Sequence, residues 1–507
     1  MVACVIKNGE STSIVNIPTV DYQDFYKAVI ELLKDKPHCH CINYFAYRNS
    51  YDLKFIICIA NDDSGEIQLL SHTIIYSAQI ELMSLSKEIF ALHFFEREIS
   101  ENFGIIFTNH PWPKPIRYAF DRADKEKNIY NYPFFKIEGE AIHEVGVGPI
   151  HAGVIEPGHF RFQCNGEYVH HLEIQLGWQH RGIEQLFIKK NKLIQRNILA
   201  ESIAGDTVVG HTLAFVFNME SLYEIKESKK LSLVRTLALE LERIAVHVGD
   251  LSALCTDIAY QLGYNVFGAL RTPVINHFQL WCGNRFAKGL IRTGYSGYEF
   301  TEELSIKFQK MLEEFEIKYI EMAEEMFSLP SVMSRFEKTG ETTLEQMQLI
   351  GAVGMAARNA GLKRDSRTTH PFAYFKNEKF ETETLPSGDV YARAKLRDLE
   401  IKSSLKIVKN IIKELNTKKE EIINQRIDLE DKKMLPNTIS VSITEGWRGE
   451  ICHCAITNSE SELIHYKIKD PSVHNWLALA LALRENEISD FPVNNKSYDL
   501  SYCGHDL

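Results

Sequence analysis

Asp499-Leu500-Ser501-Tyr502-Cys503-Gly504-His505-Asp506-Leu507 stands at the C-terminal end of the chain. It holds one thiol, Cys503, between a serine and a glycine. A second stretch, Ala204-Gly205-Asp206-Thr207-Val208-Val209-Gly210-His211, mixes small residues with one carboxylate and one imidazole. Neither contains C-x-x-C. Ala, Thr, Ser and Gly offer no thiolate, so they cannot build a soft-ligand metal centre.

Working outward, 507 residues imply roughly two to four domains at about 150 residues each. Hydrophobic content of 45% and charged content of 25% are ordinary for a globular protein. A net charge of -11, with no basic run, argues against nucleic acid. The start, Met1-Val2-Ala3-Cys4, has neither a basic nor a long apolar region, so no signal peptide is expected. No apolar stretch reaches the roughly 18–20 residues of a membrane span. Ten cysteines without a secretion signal fit reduced thiols. His38-Cys39-His40-Cys41 and Cys452-His453-Cys454 read as half-buried strand, with imidazoles facing water.

The expected fold is α+β. Residues 1–120 read as a small α/β domain, 121–145 as a charged, turn-rich linker, and 146–507 as a mainly α-helical domain opening on a short β region. Strands are expected at Cys4–Ile6, Ile14–Ile17, Cys41–Tyr47, Leu53–Ile59 and Ile67–His72, and helices at Tyr22–Leu33 and Ser86–Ser100. Asn165-Gly166 marks a hairpin between Phe160–Cys164 and Val169–Leu176. Leu231–Tyr260 is apolar at helical spacing. Further helices are expected at 185–200, 208–225, 266–289, 300–326, 343–357, 396–415 and 471–485, and a charged, exposed segment at 416–433.

Four clusters pack ionisable groups beside Gly or Pro, as a loop does when it holds charge in place. They are Gly148-Pro149-Ile150-His151 with Glu156-Pro157-Gly158-His159-Phe160-Arg161; His180-Arg181-Gly182-Ile183-Glu184; Lys363-Arg364-Asp365-Ser366-Arg367; and Glu445-Gly446-Trp447-Arg448-Gly449-Glu450. Taken singly, each reads first as a structural ion pair. Together, with Glu240-x-Glu242-Arg243 and Gly283-x-Arg285, they resemble the large subunit of energy-converting, formate-hydrogenlyase-type [NiFe] hydrogenases. They are equally similar to the quinone-site subunit of respiratory complex I. Glu96-Arg97-Glu98, Phe103-Gly104-Ile105 and His110-Pro111 through Arg117 resemble the complex I partner subunit often fused to it.

The resemblance implies a peripheral-arm subunit of a complex-I-like, energy-converting membrane oxidoreductase. Such a subunit is enzymatic only within its complex. It couples electrons from a small iron–sulfur subunit to ion translocation through antiporter-like membrane subunits. It sits peripherally on the cytoplasmic side of the inner membrane and touches the membrane through partners. Two alternatives stay open: an NADH-dehydrogenase-like reductase of quinone or another small acceptor, and a catalytically silent scaffold.

Against this pattern the four thiolate positions are Ala204, Thr207, Ser501 and Gly504, the usual arginine is Ser202, and the usual proline is Leu500. The chain stops where a processed hydrogenase stops. The expectation is therefore no metal and no cofactor bound by this chain, with an iron–sulfur cluster on the partner and quinone an open option. The complex I quinone-holding His and Tyr align with Ile155 and Gly205. The resemblance offers Glu156, His159, Asp206, His211 and Asp257 as catalytic candidates. Its cavity candidates are His151, Arg161, His180, Arg181, Glu184, Arg364, Asp365, Arg367, Glu445 and Arg448. His211 reads first as a satisfied core histidine. Glu156 reads either as a buried proton carrier with a raised pKa or as a salt-bridge partner of Arg161 or Arg181. Asp206 and Glu156 are expected to face one hydrated acidic pocket, at the start of a proton path.

Overall fold

A computed structural model describes residues 3–49, 51–76, 80–151, 155–417, 429 and 432–507. The charged segment expected at 416–433 lies largely outside these. The first strands are β1 (Cys4–Lys7), β2 (Ser11–Ser13) and β3 (Thr19–Val20). Ile14–Asn16, expected as strand, is a 3-10 turn; the chain turns there so that β2 can leave this sheet. Helix α1 spans Tyr22–Leu33 as expected, with Asp21 accepting from the Asp24 N–H as its N-cap.

Strands β4 (Cys39–Asn49), β5 (Asp52–Asn61) and β6 (Glu66–Ile75) form the antiparallel centre of a five-stranded sheet in the order β1-β6-β5-β4, with β3 on β6. A parallel pair, β7 (Glu81–Met83) and β8 (Ile106–Thr108), brackets α2 (His93–Phe103). The helix expected from Ser86 starts only at His93. Before it the backbone curls around the buried carboxylate of Glu96, which accepts from Leu85 N (2.7 Å), Ser86 N (3.2 Å) and Ser84 Oγ (2.5 Å).

Strands β9 (Ile142–Val147), β10 (His159–Asn165) and β11 (Tyr168–Gln175) make the expected β region; the hairpin turns at Gly166-Glu167, one residue beyond Asn165-Gly166, because Asn165 still pairs with Tyr168. Helices α3 (Ile183–Lys189), α4 (Leu193–Ala200) and α5 (Val208–Leu222) follow. α5 is apolar on almost every side, and all its residues but Phe217 and Ser221 are buried, as befits a central helix. α6 (Lys229–Asp257) and the two-strand turn β12 (Ile291–Arg292) and β13 (Tyr295–Ser296) pack beside it; α7 (Gln261–Cys282) packs on α6, α8 (Glu302–Ser328) on α7, and α9 (Pro330–Phe336) on α8.

The helix expected at 343–357 is two: α10 (Leu344–Ile350) and α11 (Gly354–Arg358). The break sits at Gly351 and Gly354, both at positive φ. A β-carbon on Gly354 would lie 2.1 Å from the Arg448 carbonyl oxygen, so glycine lets two loops touch backbone to backbone. After α12 (Ser366–Thr369) and α13 (Val390–Thr417) comes a sheet of β14 (Thr438–Glu445), β15 (Glu450–Thr457) and β16 (Leu463–Lys469). Helices α14 (Ser472–Ala482), α15 (Phe491–Tyr498) and α16 (Tyr502–Asp506) end the chain.

The C-terminal sheet has the order β16-β15-β14-β2, so its edge strand comes from the chain's first residues. Its apolar face packs on the first sheet: Ile439, Val441, Ile443, Cys452, Cys454 and Ile456 meet Ile42, Phe45, Ile56 and Cys58. The other face of β15 lies on α5. Both faces are therefore covered, and His40 and His453 are buried rather than facing water.

Candidate functional site

Ala204–Thr207 forms the loop into α5, and Val208–His211 is the first turn of that helix. Ala204 is fully buried. Asp206, its side chain 41% exposed, takes a two-pronged ion pair from Arg448, with Nη1 at 2.8 Å and Nη2 at 2.7 Å. The Arg448 guanidinium lies 3.9 Å from the Trp447 ring centroid, and Trp447 Nε1 donates to the Asp206 carbonyl at 2.9 Å. Arg448 donates also to Thr207 Oγ1 and to the Asp499 carbonyl. Arg181 ties this loop to the C-terminal stretch by donating to the carbonyls of Ser202 (2.7 Å), Ile203 (2.7 Å) and Cys503 (3.1 Å).

Ser501 caps α16 by accepting from Gly504 N at 2.9 Å. A β-carbon on Gly504 would lie 2.5 Å from Asp470 Oδ2. Asp470 therefore occupies the space a side chain at 504 would need. His211 Nε2 donates to Asp470 at 3.0 Å, His211 Nδ1 meets His453 Nε2 at 3.1 Å, and His453 Nδ1 meets the Tyr466 hydroxyl at 2.8 Å. One assignment satisfies every atom with neutral rings: Tyr466 donates to His453, His453 to His211, and His211 to Asp470. Burial, and then His211, hold His453 well below the ordinary histidine range. Burial works against ionised Asp470, yet the His211 hydrogen bond keeps its carboxyl below the usual value. His211 is a satisfied core histidine.

Glu156 is exposed and pairs with neither expected arginine: Arg161 pairs with Glu144 on β9, and Arg181 is spent on carbonyls. Its carboxylate lies against Cys503, whose thiol is pushed up to about 11 by burial, then by Glu156, with a smaller push from Asp206. Both carboxylates therefore act on one thiol, and Ser501 Oγ is 3.4 Å from it. His151 and His159 lock their own loop, donating to the Gly158 and Gly148 carbonyls. His180 donates to the Asp506 carbonyl, and Glu184 takes Lys467. Asp257 is exposed at the end of α6.

Asp365, Ser366 and Arg367 of the third cluster and Glu445 of the fourth converge deeper, and all four are buried. Arg358 meets Glu445 (2.8 Å), Asp365 (3.2 Å) and Glu400; Arg367 meets Asp365 (2.7 Å) and Glu240 (3.4 Å). Ser366 N and Oγ donate to Glu445, and His247 donates to Glu400. Burial, then Asp365, push Glu445 up to about 7. Arg364 stands apart, holding Asp62 and the Pro37 carbonyl of the first domain.

Sequence reasoning passed over Asp470 and Tyr466, which no local motif announces, and took His453 for a water-facing imidazole when it is buried. It also noted Glu242 only as part of a match. Glu242 accepts from Val209 N (2.7 Å) and Gly210 N (3.1 Å) at the start of α5. Burial drives its carboxyl up to about 8 despite those bonds, and Asp206 adds to the push. Asp250 is likewise pushed to about 7 by burial and Asp499.

Residues 19–125 match the family described as respiratory-chain NADH dehydrogenase, 30 Kd subunit, and residues 264–506 match its 49 Kd subunit. The chain resembles two respiratory-chain NADH dehydrogenase subunits in tandem. Hydrogenase-4 component G of Escherichia coli is 24% identical over 83% of this chain and 75% of its own length. Formate hydrogenlyase subunit 5 of the same organism is 24% identical over 83% of the chain and 76% of its length. An NADH-quinone oxidoreductase subunit of Deinococcus radiodurans is 24% identical over 67% of the chain and 89% of its length. The respiratory-chain and hydrogenase likenesses expected from the motifs are both found. Among the described residues no helix is long and apolar enough to cross a membrane. The donor set does not fit a nickel–iron centre: the four positions carry no thiolate, and Asp470 fills the space beside 504.

Proposed function

We propose that this chain is a peripheral-arm subunit of a complex-I-like, energy-converting membrane oxidoreductase complex, and that it works without a nickel–iron centre. It docks on a small iron–sulfur subunit and on antiporter-like membrane subunits, on the cytoplasmic side of the inner membrane. One observation carries the reading. The loops that would flank a metal are kept and cross-linked by Arg181 and Arg448, while Asp470 stands in the space beside 504. On this reading the position of the site is kept and its chemistry replaced.

A second reading, a coupling scaffold that transfers no electrons to a small acceptor, is favoured by the same loop. Asp206 is tied to Arg448, and Ile155 and Gly205 supply no side-chain hydrogen bond for a quinone carbonyl. Affinity purification of the tagged chain from detergent-solubilised native membranes tests the proposal. The expected result is co-purification with iron–sulfur and multi-span membrane subunits, less than about one-tenth of a nickel per chain (an order-of-magnitude bound set by the missing soft ligands) and no hydrogen-dependent dye reduction. A lone chain, or stoichiometric nickel with hydrogen-dependent activity, overturns it. Quinone-dependent turnover of the purified complex would favour a reductase over a scaffold.

A further inference from the structure

Away from the site just described, α7 and α8 leave a groove of about 350 Å³ between them. On α7 its wall is Leu270, Pro273, His277 and Leu280, spaced three, four and three apart, which is one stripe of a helix. Its floor is apolar: Met311 and Phe315 of α8 are buried at 6% and 2% exposure. The opposite wall is a row of α8 side chains, Lys307, Lys310, Glu314 and Lys318, all exposed.

Two further features say that this face lacks its partner. Leu280 is 56% exposed, and Ile306 and Ile317 are each 62% exposed. The two isoleucines are eleven residues apart, three helical turns, and share a stripe of α8 with Lys310 and Glu313, so apolar and charged side chains stand exposed together at the groove's edge. The charge is unbalanced as well. Among the described residues Lys307 pairs only with Glu303 of its own helix, and Lys310 and Lys318 have no carboxylate partner. A chain of net charge -11 thus presents three lysines and one glutamate along one apolar groove.

We infer that the α7–α8 groove receives an amphipathic helix from a partner polypeptide, with apolar residues seated on Met311 and Phe315 and Asp or Glu along the edge facing Lys310 and Lys318. Two helices already set the groove's walls, and a third laid between them closes a three-helix packing in which each lysine gains an acceptor. Apolar contact supplies the affinity, and the lysine row sets the direction and register of the incoming helix.

The test is a photo-crosslinking residue placed at Leu280 or Ile317 of the full-length chain in its native complex, with the captured peptide sequenced. The expected result is one partner segment with helical apolar periodicity and acidic residues on one edge. The Lys310→Glu, Lys318→Glu double variant should cut that crosslink at least about tenfold, as loss of roughly 1.4 kcal/mol implies, while thermal unfolding of the chain is unchanged. Three outcomes overturn the inference: crosslinks only to a second copy of this chain, crosslinks only to lipid, or a crosslink that charge reversal does not weaken.

Discussion

At the scale of single residues, the most consequential group is Glu242. It sits fully buried at the head of α5, held by two backbone N–H groups, with its carboxyl near pH 8. A folded-state value above the unfolded one means that the native protein binds more protons between about pH 4.5 and 8. Its stabilising contribution is therefore complete below about pH 4.5 and lost as pH rises through 8. Glu242→Gln keeps the shape and one acceptor and removes the titration. Thermal unfolding from pH 5 to 9 should show the variant gaining on the parent as pH rises, by up to about 4 kcal/mol at pH 8.5. Parallel curves would mean that Glu242 is ionised throughout. The sequence could name Glu242 but not its environment, because the N–H groups that hold it belong to residues 33 and 32 positions away. Asp206 shows the same limit. Its place in the loop was legible, whereas its partner Arg448 lies 242 residues downstream. Glu156 differed for another reason: the motif located the residue without revealing that it lies at the surface.

At the scale of elements, the ion pairs that join α2 to β16 show what local patterns miss. Glu98 of α2 receives Lys467 of β16 at 2.6 and 2.7 Å, and also Arg117. Lys467 reaches Glu184 of α3 as well, at 3.0 Å. Burial opposes ionised Glu98, but Arg117 and Lys467 outweigh it and hold its carboxyl at about 2. A depressed value stabilises the fold above about pH 4.5, and that contribution fades as pH falls toward 2. Glu98→Gln leaves two buried cations short of an anion and should cost about 3–5 kcal/mol at pH 7. Urea unfolding at pH 7 and pH 3 checks it, since the gap between variant and parent should shrink at the lower pH. Long periodic elements such as α1, α6 and α8 were readable from sequence because their apolar spacing is local. β14 and β16 were not, because strands covered on both faces lose the alternation that would mark them.

At the scale of the whole molecule, the two resembled subunits are joined by more than a linker. β2 is the edge strand of the C-terminal sheet, and the two sheets share one apolar interface. Residues 1–120 produced alone would expose Ile42, Phe45 and Ile56, an apolar face of the kind that aggregates. Expressing 1–130 and 131–507 as separate polypeptides tests this. Each alone should be recovered mostly insoluble, and the pair expressed together should co-purify as one particle. A soluble, monomeric 1–130 with native-like sheet content would show that the first domain is self-sufficient. The fold class and the order of the two parts were legible because each carries its own motifs. Their interlocking was not, because it rests on pairings between distant residues: the short strand Ser11–Ser13 on β14, and Ile42, Phe45 and Ile56 against Val441 and Cys454.

That edge strand also sets a clock for the ribosome. Ser13 lies 424 positions from Asn437, whose carbonyl accepts its hydroxyl. At about 5–20 residues per second, β2 waits roughly 20–85 seconds for the strand it must join. For that interval the nascent chain carries an unpaired segment and an uncovered apolar sheet. The molecule is therefore a natural client for whatever shields growing chains, and its first domain is finished last.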